Sequence, residues 1–179
     1  MIKVYTQTTA DTCLPSCLLM VLEKKGLVKP AQDLEIEILV EGGKLDKDNR
    51  AFAHLAYVCN KFDLEAFYFS NDDTAISHAQ AVKEKLGIER ISCEKLEIDT
   101  DLIERSLSKG YVILCINDYG LRQEVHFPHY VVIEKYENGK FVVLDPWDGK
   151  TFVLERNILD EAIKLLDKIH YWRELIVIK

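Results

Sequence analysis

At Gly110 the sequence changes period. Upstream, apolar residues recur every three or four positions; downstream they come in unbroken or alternating runs. Tyr111-Val112-Ile113-Leu114-Cys115-Ile116 is a continuous apolar run, the pattern of a central strand buried on both faces. Tyr130 to Tyr136 and Phe141 to Leu144 flank Asn138-Gly139, the strongest short hairpin signal a sequence can carry. A sheet that follows a largely helical first half restricts the fold to an α+β layout, with an N-terminal helical part packed on a mostly antiparallel sheet.

The helical half is legible in some detail. Leu14, Cys17, Leu18, Val21 and Leu22 predict a helix from Cys13 to Lys25 with one buried face. Asp11 or Thr12 can cap it, Pro15 falls in the first turn where an N–H is not needed, and Gly26 closes it. Further helices are predicted at 31–41, 48–62, 99–108 and 157–168, with 74–86 either a helix or an irregular insertion. Short strands are expected at 64–69, 151–154 and 173–178, and a strand or extended arm at 2–5. No repeat, linker or low-complexity tract interrupts the 179 residues, which fits a single domain over 1–179.

Charge and cysteine usage narrow the function classes. A net charge of -7 argues against nucleic acid or an anionic membrane as the main partner, because both reward a basic face. No stretch approaches the length of a membrane-spanning helix, and the N-terminus lacks a signal-peptide pattern, so a cytoplasmic protein is expected. Five cysteines, at 13, 17, 59, 93 and 115, suit a reducing compartment better than a disulfide framework. Nothing in the sequence fixes the oligomeric state.

Four residues have the types and order needed to activate a thiol. Cys13 begins a helix, where unpaired N–H groups and the positive end of the dipole favour a thiolate. Cys17 lies one turn on and deeper in the apolar run, so it is expected to pack beneath Cys13 and is the lesser candidate. His129 opens an apolar strand after Pro128 and can serve as base, with His126 as its rival. Asp145 ends the partner strand and, in a hairpin turning at 138–139, comes nearly level with His129, where a carboxylate holds the imidazole in one tautomer. Gln7 can offer an amide donor to an oxyanion, and one such donor is worth roughly 2.7–4 kcal/mol. Tyr130, Trp147 and His126 are near enough in sequence to line a substrate pocket.

Gln7-x5-Cys13-Leu-Pro-Ser-Cys17-Leu-Leu-Met20, the Leu107-x2-Gly110-Tyr-Val-Ile run, His129-Tyr-Val-Val and Leu144-Asp145-Pro146 together resemble the peptidase C39-like group of papain-fold cysteine peptidases. That group includes the leader-cleaving domains of bacteriocin-exporting transporters, which cut after double-glycine motifs. The resemblance spans 7–147, with no family signal in 27–100. It implies a papain-like fold, a peptide or protein substrate, no cofactor and no metal. It also implies Cys13 as nucleophile, His129 as general base, Asp145 as orienter and Gln7 as oxyanion donor. Leu14 departs from the pattern, since the family usually has Gly there, and its side chain implies a narrower cleft or an altered substrate choice. No transporter segment follows in this sequence, so double-glycine cleavage is not carried over.

Other readings stay open at this level. Hydrolysis of a peptide or isopeptide bond and transglutaminase-like acyl transfer share their first half-reaction. A zinc module on Cys13, Cys17, His126 and His129 has plausible ligand types but leaves Gln7 and Asp145 without a role. An inactive peptide-binding relative is the third alternative.

Overall fold

The computed structural model describes residues 1–179. Seven strands form one sheet: β1 (Ala66–Ser70), β2 (Ile91–Lys95), β3 (Tyr111–Asn117), β4 (Pro128–Glu137), β5 (Lys140–Leu144), β6 (Thr151–Glu155) and β7 (Glu174–Ile178). Their order across the sheet is β2-β1-β7-β3-β4-β5-β6, and every pair is antiparallel except β1 with β2.

Helices cover both faces. α1 (Cys13–Lys24), α3 (Arg50–Phe62) and α4 (Asp73–Leu86) bury Leu18, Leu22, Phe52, Leu55 and Ala79 against Ile113, Cys115, Val132 and Ile176. α5 (Thr100–Leu107) and α7 (Arg156–Lys164) bury Ile103 and Leu159 against Val112, Leu114, Ile116 and Val131 on the opposite face. Alternate residues of β3 thus enter two different cores, which is why its sequence is apolar at every position.

α2 (Gln32–Glu37) runs directly into a π-helical turn, Ile38–Gly42, so the helix predicted at 31–41 is real but changes pitch midway. The segment 74–86 resolves as α4, started by Asp72, whose carboxylate accepts from Thr74 N at 2.7 Å and Ala75 N at 3.1 Å. Asp99 caps α5 as its sequence suggests, accepting from Leu102 N at 2.8 Å. The β4–β5 hairpin turns through Asn138 and Gly139, both at positive φ, the geometry that an Asn-Gly pair adopts without strain. Tyr136 faces Phe141 as the turn dictates, and a bulge between Ile133 and Lys135 then slips the register by one, setting Val132 opposite Leu144.

One expectation needs correction, one open alternative is resolved, and two elements are new. Neither Asp11 nor Thr12 caps α1 with its side chain; Thr12 occupies the N-cap, but its hydroxyl donates back to Thr9 O at 2.9 Å. Residues 2–5 join no sheet and run as an arm, with Ile2 N bonded to Glu134. The strand β2 has no counterpart in the sequence reading, nor does the one-turn helix α6 (Tyr119–Arg122). No helix is long and apolar enough to cross a membrane.

Candidate functional site

α1 starts where the arm and the turn after β5 meet. Gln7 N donates to Pro146 O at 2.7 Å, which ties the loop before Cys13 to the loop after Asp145. At the start of α1, Cys13 N–H and Leu14 N–H find no backbone acceptor, and Pro15 has no N–H to satisfy. Two donors are therefore left without a backbone partner beside the half-buried thiol of Cys13.

Packing of α1 on β4 then brings His129 to the same place. Cys17, one turn below Cys13, is fully buried and its thiol donates to Tyr130 O at 3.3 Å. His129 is 1% exposed, and its Nε2 bonds Asp145 Oδ1 at 2.8 Å. The other ring nitrogen, Nδ1, is buried and makes no well-formed hydrogen bond. The Cys13 thiol lies close enough to act on this ring both as a hydrogen-bonding partner and as a charge. Burial opposes protonation of His129, but the Asp145 hydrogen bond, the neighbouring Cys13 sulfur and the charges of both outweigh it and raise the imidazole to about 9.

Asp145 is sealed from solvent and saturated with donors. Besides His129, Oδ1 accepts from Trp147 N at 2.8 Å, while Oδ2 accepts from Arg122 Nη2. Burial pushes this carboxyl up, yet the His129 hydrogen bond and charge, the Trp147 N–H and the Arg122 charge hold it below its ordinary range. Arg122 is a residue the sequence reading missed. It sits on α6 and bonds Asp118 through Nη1 and Asp145 through Nη2, with its guanidinium 6.0 Å from the Trp147 ring. The indole of Trp147 stands edge-on to His129, with centroids 6.3 Å apart at 87°.

Gln7 is tied by its backbone to the turn after Asp145, while its amide is engaged within its own loop. Nε2 donates to Thr9 O at 2.7 Å and to Ala10 O at 3.4 Å, while Oε1 is buried without a partner. Those carbonyls fix which end of the amide points into the loop. His126 is not at the site: it is exposed, stacks on Tyr119 at 4.2 Å and has Nδ1 3.3 Å from Asn117 Oδ1. Cys13, Cys17, His126 and His129 therefore do not gather as metal ligands; Asp46, Asp48 and His78 form a different group, with ligand atoms within 4.8 Å of one another. Burial pushes up the thiols of Cys59, to about 12, and Cys93, to about 11, and those of Cys17 and Cys115 well above the usual range.

A cleft of about 320 Å³ opens beside Cys13. Leu14, Leu39, Phe127 and Tyr130 line it, with Arg50 and His54 contributed by α3. Tyr130 is where the sequence reading expected a pocket residue, whereas Trp147 instead shields the His129–Asp145 pair.

Three solved structures share this architecture over nearly the whole chain. A double glycine motif protease from an AMS/PCAT transporter, solved in complex with the leader peptide, aligns with a TM-score of 0.56 at 17% identity, covering 100% of this chain and 91% of that one. The peptidase domain of Streptococcus ComA, a bifunctional ABC transporter of a quorum-sensing pathway, gives 0.56 at 12%, covering 99% and 98%. A protein described as a C39-like peptidase from Bacillus anthracis gives 0.60 at 12%, covering 99% and 94%. No protein-family model and no curated protein matches the sequence. At this level of identity the likeness is one of fold: the chain has the α+β, papain-like fold of C39 peptidase domains.

Proposed function

We propose that this chain is a cysteine peptidase that hydrolyses a peptide or isopeptide bond through a thioester acyl-enzyme, with residues 1–179 acting as one domain. The observation that carries the reading is the His129 ring, held by Asp145 on one side and flanked by the Cys13 thiol on the other. His129, held by Asp145 beside the Cys13 sulfur, takes the thiol proton, and the sulfur attacks as thiolate.

The steps follow from that placement. The Cys13 sulfur attacks the scissile carbonyl carbon, and the C=O electron pair moves onto oxygen. The free N–H groups of Cys13 and Leu14 lie at the helix start, where the dipole also favours negative charge. Gln7 supplies a further donor by exchanging its longer contact, at 3.4 Å to Ala10 O, for the oxyanion. As the C–N bond breaks, His129 delivers its proton to the leaving amine. The neutral ring then takes a proton from water, the hydroxide adds to the thioester, and collapse releases the acid and restores the thiolate–imidazolium pair. Asp145 keeps the ring in one tautomer and compensates its positive form; Arg122 and the Trp147 N–H hold Asp145 in place. No cofactor or metal is needed for these steps.

The leader peptide bound by one fold relative supports a peptide as the substrate class here. Free, unpaired cysteines support a reducing compartment such as the cytoplasm. The test is chemical. Iodoacetamide at neutral pH should modify Cys13 before the other four thiols, and a peptide-library digest should lose all cleavage in Cys13→Ser but retain it in Cys17→Ser. First modification at another cysteine, or cleavage that survives Cys13→Ser, overturns the proposal.

A further inference from the structure

The cleft beside Cys13 is lined mostly by apolar residues but carries Arg50, a cation with no salt-bridge partner, and His54, whose ring makes no well-formed hydrogen bond. Arg50 is the first residue of α3, exposed, and in no salt bridge. The first turn of α3 holds no acidic residue, so its guanidinium adds to the positive end of the helix instead of being offset there. The carboxylates nearest in the chain and across the cleft, Asp48 and Asp11, are exposed and not paired with it.

His54, one turn further along α3, is the second and independent observation. It is 4% exposed, it lines the same cleft, and both of its ring nitrogens are buried without a well-formed hydrogen bond, the Leu39 carbonyl being the acceptor that acts on the ring. A buried polar group without a well-formed hydrogen bond is costly, so such a ring in a cleft wall favours a ligand that offers it a better acceptor. Its position is fixed: a side chain at Gly42 would meet the His54 ring at 2.6 Å and its backbone at 2.9 Å. Gly42 and Leu39 belong to the π-helical turn, an element that recurs at functional sites. Burial lowers the ring to about 4, with the Leu39 carbonyl pulling it up and the Arg50 charge pulling it down, so it is a neutral N–H donor at neutral pH.

We propose that this cleft is a subsite for a residue bearing a carboxylate: an aliphatic stem lies against Leu14, Leu39 and Tyr130, and the anionic end is received by Arg50 and the His54 N–H. This deepens the peptidase reading and rests on it, since it names the substrate class of the same site. A glutamate side chain and the carboxylate at a peptide's C-terminus present the same chemistry, and the test separates them.

The probe pair is an N-(carboxyalkyl)maleimide and its matching carboxamide, in graded chain lengths, each corrected for its rate with a small free thiol. Labelling of Cys13 at neutral pH is followed by mass spectrometry. The acid is expected to react about tenfold faster than the amide at the optimal length. That preference should shrink in high salt and fall towards parity in Arg50→Gln, an exposed position where folding is not at stake. His54→Gln, checked for an unchanged melting temperature, should weaken it in part. Protection of Cys13 is then compared between a peptide with internal Glu and an amidated end, and one with Gln and a free C-terminal acid. The arm that protects identifies the source of the carboxylate. Equal acid and amide rates with Cys13 still reactive, or protection by neither peptide, overturn the subsite alone. A Cys13 inert to both reagents overturns the peptidase reading and the subsite with it.

Discussion

Asp145 and Glu174 are both carboxylates cut off from solvent, at 0% and 1% exposure, yet they titrate on opposite sides of their ordinary range. Burial raises both. Glu174, in the central strand β7, receives only the hydroxyls of Tyr68 and Tyr130, which lower it less than burial raises it, and it rises to about 6. Asp145 receives the His129 ring, a backbone N–H and the Arg122 guanidinium, and it falls. Both have their lone pairs satisfied, so hydrogen bonding alone does not explain the difference. Neutral donors complete the geometry; a cation is what compensates the lost hydration of the charge.

The most damaging way to break that contrast is Asp145→Ala, which leaves Arg122 and protonated His129 facing each other in a buried site. A loss of about 3–5 kcal/mol is expected in urea unfolding. A loss below about 1 kcal/mol would mean that Asp118 and Asp148 already supply the counter-charge.

Next in size is the pH dependence of His129. Its folded value, about 9, lies above the ordinary 6.5. The stabilisation is therefore complete below 6.5 and disappears as pH rises through 9, by up to about 3 kcal/mol. Melting temperature should fall across that window in the wild type and stay flatter in Asp145→Asn. A flat wild-type profile would contradict the pairing.

Glu174 sharpens the comparison with a shift of the same sign but an unfavourable origin. Its folded value, about 6 against 4.5, means that folding favours the protonated form. Stability is then full below 4.5 and drops as pH passes 6, by about 2 kcal/mol. Glu174→Gln should remove this drop, because the tyrosine hydroxyls can turn to accept from the amide. A stability gap between the two proteins that does not change with pH would break the contrast.

The smallest effect is expected for Arg122→Lys, which keeps the charge but cannot bridge Asp118 and Asp145 at once. About 1 kcal/mol should be lost, together with a change in the titration of the His129 ring followed by NMR.

The sequence was most legible where burial is one-sided or complete. The heavily apolar β3, the Asn138-Gly139 turn and the buried stripe of α1 each follow from periodicity, and the hairpin makes the approach of Asp145 to His129 predictable. What escaped notice lies where no period exists. Arg122 sits in a short polar connection, and its importance depends on a fold that brings α6 against the turn after β5. β2 is an edge strand in which Ile91 alone is fully buried, so Ile91-Ser92-Cys93-Glu94-Lys95 shows little alternation. His54 reads as an ordinary helical residue until the π-helical turn closes over it, and Thr12 looks like a cap until its hydroxyl is found bonded to Thr9.

The arm that joins no sheet nevertheless acts as a tie-rod. Tyr5 OH and Thr8 N both donate to the buried Glu35, at 2.8 Å each, Thr6 packs on Gly149, and Gln7 N holds Pro146 O. The helical layer and the rim of the hairpin are thereby strapped together across the gap between sulfur and imidazole. The reactive spacing is consequently held by the hydrogen bonds of the first few residues as well as by the cores, and a backbone nick there should loosen the approach of sulfur to imidazole while both cores stay packed.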